Sequence, residues 1–67
     1  MSTKKTAGQI IKVARREKGW TQTELAEKAG IHWNTVAKIE RGTQKPEFST
    51  IKNLAKALGL SLEDIPS

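Results

Sequence analysis

Cysteine is absent from the sequence, so neither a disulfide nor a thiolate metal site can staple the fold. Histidine occurs once, as His32, which leaves no cluster able to hold zinc. No metal and no other cofactor are expected. No apolar run exceeds two residues, as at Ile10-Ile11, so no segment can span a membrane. The polar start Met1-Ser2-Thr3-Lys4-Lys5 leads into no apolar stretch of signal-peptide type. Period-two alternation long enough to build a sheet is missing too. There are no paired carboxylates in a plausible cleft, no nucleophile beside a histidine and no phosphate-cradling glycine loop, which excludes an enzyme.

What is present is short and basic. Sixty-seven residues make a single domain, 1–67, that buries only about 60% of its unfolded surface. Twelve Lys and Arg against seven Asp and Glu give a net charge of +5. That balance favours an anionic partner, of which nucleic acid is the commonest for a small basic domain. Residues 1–5, with Lys4 and Lys5, are read as a flexible basic arm.

Glycines at 19, 30, 42 and 59 each follow a stretch of helix-compatible composition, as a left-handed residue beyond a helix end should. The expectation is an all-α domain. A first helix runs from about Ala7 to Lys18, opened by a Thr6/Gln9 capping box, with Ala7, Ile11, Ala14 and the stem of Lys18 buried and Ile10 and Val13 to one side. A second runs from Gln22 to Ala29 behind a Thr21/Glu24 box, with Trp20 able to fold onto Leu25. A third covers Trp33 to Arg41, capped at His32, with Val36 and Ile39 facing the core. Thr43-Gln44-Lys45-Pro46 makes a basic loop. A fourth spans Phe48 to Leu58, with Phe48, Ile51, Leu54, Ala55 and Leu58 buried, and Ser61 caps a last short turn through Ile65.

The stretch TQTELAEKAGIHWNTVAKIERG, residues 21–42, is the informative one. Two short helices joined by a tight turn at Gly30, with small Ala26 at their crossing, have helix-turn-helix geometry. A plain helical hairpin would share that turn, so the outward face of the second member decides. With Val36 and Ile39 taken by the core, Trp33, Ala37 and Arg41 lie at spacings of four beside Asn34 and Lys38. This face is hydrogen-bonding, cationic and partly aromatic, and carries no acid that would repel phosphate. The preceding helix, by contrast, mixes Glu24 and Glu27 with Lys28.

The chain resembles the lambda-repressor-like, Cro/C1-type helix-turn-helix regulators. Ile11, Arg15, Gly19, Thr21-Gln22, Glu24-Leu25-Ala26, Gly30-Ile31, Thr35-Val36, Ile39-Glu40, Gly42, Pro46 and Leu54-Ala55-Lys56-Ala57-Leu58-Gly59 carry the likeness, over roughly residues 7–65. It implies a compact five-helix fold whose third helix enters the major groove of double-stranded DNA at a roughly palindromic operator. It also implies a cytoplasmic, nucleoid-associated regulator, most simply a repressor. Trp33, Asn34, Ala37 and Lys38 fall at base-reading positions; Gln22, Thr35 and Arg41, with Lys45 in the loop, fall where phosphates are held. Arg15 and Glu40 match a structural salt bridge. The chemistry agrees: Asn can bond adenine N6 and N7, and Lys can donate to guanine O6 and N7. His32 stands where Ser or Thr usually caps the third helix, and His is the poorer cap.

One such domain reads few base pairs, so a homodimer is expected, with Leu60, Leu62 and Ile65 as its candidate interface. A module whose main partner is a protein, such as a toxin, would need a large exposed apolar patch, for which the short termini leave little room. RNA binding lacks the stacking sheet or GXXG loop of the usual RNA modules.

Overall fold

Local chemistry sets most helix ends in the computed structural model, which describes residues 6–65. The first helix, α1, is Ala7–Glu17. Thr6 Oγ1 accepts the Gln9 N–H at 3.2 Å while Gln9 Oε1 accepts the Thr6 N–H at 2.9 Å, so two otherwise unpaired donors are satisfied reciprocally. Lys18 is its C-cap rather than its last helical residue. The same reciprocal box, between Thr21 and Glu24 at 3.1 and 2.8 Å, opens α2, Gln22–Ala29. Then follow α3, Trp33–Arg41, and α4, Phe48–Leu58.

α3 packs on α1 and α2, and α4 lies against the same two helices. The core sits among all four. Ile11, Leu25, Val36, Ile39 and Leu54 are its fully buried side chains, each contributing roughly 1.5–3 kcal/mol through apolar burial. Ala26 is buried where α2 meets its neighbours. Its small side chain permits close approach of the helices. Trp20, Ile31, Ile51 and Leu60 pack around the margin.

Gly8, on which the sequence pattern is silent, is a contact point. It is buried in the first turn of α1, and a Cβ placed there would land on the Ile39 carbonyl oxygen and lie 3.1 Å from the Glu40 Cα. α1 therefore crosses the backbone of α3 at the one α1 residue without a side chain.

Three expectations are corrected. The described residues hold four α-helices and one 3-10 turn, Leu62–Asp64, rather than five helices. Ser61 does cap that turn, its Oγ accepting the Glu63 N–H at 3.2 Å. Ile65 has already returned to extended backbone, at φ −111° and ψ 115°. Pro66 follows, and the residue before a proline is pushed away from helical ψ, so the turn cannot lengthen. Phe48, expected inside, is 70% exposed: as the first residue of α4 it lines a surface groove with Gly8, Ile39 and Leu62 rather than the core. Lys18 is exposed, being beyond the end of α1. Val13 is 43% exposed and Ile10 is half-buried.

Candidate nucleic-acid interface

Only three residues separate α2 from α3. Gly30 takes φ 71°, a left-handed conformation that a side chain would strain. This lets the Ile31 N–H return to the Ala26 carbonyl at 3.0 Å. The turn is thereby tied to α2, and α3 starts immediately.

His32 begins it. Its Nδ1 accepts the Asn34 N–H at 3.1 Å, doing with an imidazole lone pair what a hydroxyl does at a usual cap. Acceptance at Nδ1 puts the neutral ring's proton on Nε2. The imidazole also stacks on the Trp33 indole, with ring centroids 5.7 Å apart and planes 30° apart. One histidine thus caps α3 and braces the largest side chain on its outer face.

That face divides cleanly from the inner one. Val36 and Ile39 are buried. Trp33 is 51% exposed, Lys38 and Arg41 are exposed, and Asn34, Thr35 and Ala37 are partly so. The acid on α3, Glu40, is turned inward. Its side chain is only 3% exposed and meets Arg15 in a two-pronged ion pair: Nε to Oε2 at 2.7 Å and Nη2 to Oε1 at 3.0 Å. Gln22 Nε2 donates to the same Oε1 at 3.1 Å. Arg15 Nη1 donates to the Trp20 carbonyl at 2.6 Å, completing a link from α1 through the α1–α2 turn to α3. The hydrogen bond to Glu40 raises the Arg15 pKa, desolvation opposes it, and the Glu40 charge adds to the rise. The guanidinium is held firmly cationic.

Beyond α3, Gly42 adopts φ 84°, and Thr43 returns its N–H and Oγ1 to the Lys38 carbonyl at 3.1 and 3.3 Å. The loop carrying exposed Lys45 is therefore fastened to the last turn of α3. The structure gathers Trp33, Asn34, Thr35, Ala37, Lys38 and Arg41 on one helix and Gln22 beside it through Glu40; Lys45 stands apart at the far end. Lys4 and Lys5 lie outside the described residues. The sequence pattern did not single out Lys12, which lines a cleft with Gln22, Ala37, Glu40 and Arg41. Its signal was available: Gly8, Lys12 and Arg15 form one i, i+4, i+7 row on α1. Two of them, Gly8 and Arg15, touch α3.

A model of the helix-turn-helix family matches residues 11–65. The chain belongs to the Cro/C1-type helix-turn-helix DNA-binding regulators. It carries the sequence-specific DNA-binding domain of a transcriptional regulator. It is 43% identical over 60 residues to the immunity repressor protein of Bacillus phage phi105, an alignment covering 90% of this chain and 42% of the repressor. The chain thus matches under half of that relative's length. An HTH-type transcriptional regulator of Sinorhizobium fredii, y4dJ, is 38% identical over 61 residues, with 91% of this chain and 79% of y4dJ covered. Among solved structures, SinR of Bacillus subtilis in complex with DNA superposes with a TM-score of 0.82 at 37% identity, covering 87% of this chain and 94% of that one. No helix among the described residues is long and apolar enough to cross a membrane.

Proposed function

We propose that α3 enters the major groove of a roughly palindromic operator and that the protein acts there as a repressor. One observation supports this above the others: the acid of α3 is sequestered by Arg15 and Gln22, leaving an outward face that is neutral or cationic. Trp33, Asn34, Ala37 and Lys38 read base edges, with Asn34 suited to adenine, Lys38 to guanine and the Trp33 ring to a thymine methyl. Gln22, Thr35, Arg41 and Lys45 hold phosphates and set register without reading sequence. Residues 1–67 act as one DNA-binding unit in the cytoplasm, on the nucleoid, with Lys4 and Lys5 adding backbone contacts.

The working species is a homodimer whose two-fold axis matches the operator's. Of the residues expected at its interface, Leu62 is 40% exposed, whereas Ile65 is buried and Leu60 packs on the core. Phe48 joins Leu62 and Ile65: all three line an apolar groove of about 540 Å³ shared with Ile39, Gly42, Lys45 and Ile51. That groove borders the C-terminal end of α3, and a second copy seated on it is the arrangement proposed. Selection of bound fragments from a random duplex pool, followed by sequencing, tests the proposal. A two-fold symmetric motif with half-sites about 10 base pairs apart is the expected product. Recovery of fragments without a shared motif refutes base reading by α3.

A further inference from the structure

We propose that Lys12 is a further DNA-backbone ligand, closing with Arg41 on one phosphate in the cleft beside Gln22. The cleft, about 280 Å³, is lined from three helices by Lys12 of α1, Gln22 of α2, and Ala37, Glu40 and Arg41 of α3. Two of those five side chains are cationic. The carboxylate among them is already spent: its two oxygens accept three hydrogen bonds from Arg15 and Gln22, and the Arg15 charge cancels its own. No carboxylate among the described residues lies within ion-pair distance of Lys12 or Arg41. The cleft therefore presents two uncompensated positive charges and the remaining N–H of the Gln22 carboxamide, beside a neutral buried pair.

A single anionic oxygen group suits that arrangement. Two like charges facing one cleft repel when it is empty, and an anion between them reverses the sign of the interaction. Lys12 is half-buried, on the α1 row that crosses α3 at Gly8, so its stem is restrained before DNA arrives. Less side-chain entropy is then lost on contact than for a fully solvated lysine. The location selects the source of the anion. Ala37 and Arg41 belong both to the cleft and to the outward stripe of α3, so the phosphate is one on the strand bordering the groove that α3 reads. The assignment rests on that proposed docking of α3, and it names a residue outside the α3 face.

The test compares Lys12→Gln and Lys12→Arg with wild type, and with Lys56→Gln on the exposed side of α4, on preferred and scrambled duplexes at several salt concentrations. Thermal melting of each variant accompanies the titrations. Lys12→Gln weakens both duplexes alike and flattens the slope of log K against log salt by about 0.9, the release of one phosphate's counterions. Lys12→Arg and Lys56→Gln keep the wild-type slope. An unchanged slope for Lys12→Gln overturns the proposal, as does a loss confined to the preferred duplex, which makes Lys12 a reader of bases. Failure of the α3 docking itself registers differently: Asn34→Ala then weakens both duplexes equally, whatever Lys12 does.

Discussion

Glu40→Ala removes the acceptor on which three helices converge. The Arg15 side chain is 10% exposed and that of Glu40 3%, so the substitution leaves a guanidinium in a largely dry position. Breaking a buried pair by deleting one partner costs about 3–5 kcal/mol. Here the Arg15 Nη1 bond to the Trp20 carbonyl survives, and the remaining exposure admits some water, which lowers the expected loss to about 2–4 kcal/mol. A domain this small has roughly 3–10 kcal/mol in total. Each kcal/mol shifts its melting temperature by about 4–8 °C, so circular dichroism should register a fall of roughly 8–32 °C. A second variant isolates the cause. Arg15→Met combined with Glu40→Leu exchanges the ion pair for apolar contact and should recover most of that loss, while DNA binding stays weakened because Gln22 has no acceptor. A melting temperature unchanged by Glu40→Ala, or a double variant no more stable than the single one, refutes the orphaned-charge account. The pKa shift on Arg15 is upward. Its contribution is therefore fully present below the unfolded-state value and lost only as pH rises beyond it, so neutral and mildly acidic buffers leave this part of the stability unchanged.

Gly8→Ala should destabilise the isolated protein by about 1–3 kcal/mol through overpacking, since the added methyl meets the backbone of Ile39 and Glu40 rather than a movable side chain; equal or higher stability in denaturant titration contradicts the close crossing of α1 and α3. Phe48→Ser should raise the concentration at which the protein dimerises while leaving the protomer's melting temperature nearly unchanged, because the ring is 70% exposed; sedimentation at graded concentrations decides, and an unaltered dimerisation constant removes Phe48 from the interface. Asn34→Ala should lower affinity for the preferred operator by about 1–3 kcal/mol and barely change scrambled DNA. Lys45→Ala should weaken both and reduce the salt slope by about one; if the two variants behave alike in fluorescence titrations, base-reading and phosphate-holding roles are not divided as proposed.

Helix boundaries were legible because the signals that set them are local. Thr6 with Gln9 and Thr21 with Glu24 sit three residues apart, within reach of one another whatever the tertiary structure, and Gly30 and Gly42 mark turns that need a left-handed residue. The errors arose where helix-to-helix geometry decides. Phe48 has helical spacing to Ile51 and Ala55, yet as the first residue of α4 it lines an open groove at the surface rather than the core. Gly8 reads as an ordinary small residue until α3 is laid across it. The last turn resembles a helix in its cap and its acids, and only Pro66 in the sequence hints that it stops after one turn.

Glu40 shows why the candidate site was legible in outline and not in detail. Helical spacing keeps Glu40 off the outward stripe and the family resemblance pairs it with Arg15, but neither tells that Gln22 shares its carboxylate. The structure turns it onto Arg15, and its second task, holding Gln22, follows from sharing Oε1. Neutralising the acid and orienting the amide are therefore one act, performed by a side chain that is itself nearly inaccessible. The same act leaves Lys12 and Arg41 without a carboxylate partner among the described residues, so the charge that the sequence total presents as a diffuse excess is concentrated at the junction of α1, α2 and α3. A +5 chain with Glu40 free in that cleft would carry the same net charge and a weaker field where the DNA strand passes. Placement of one buried acid, not the count of bases, sets the polarity of this face.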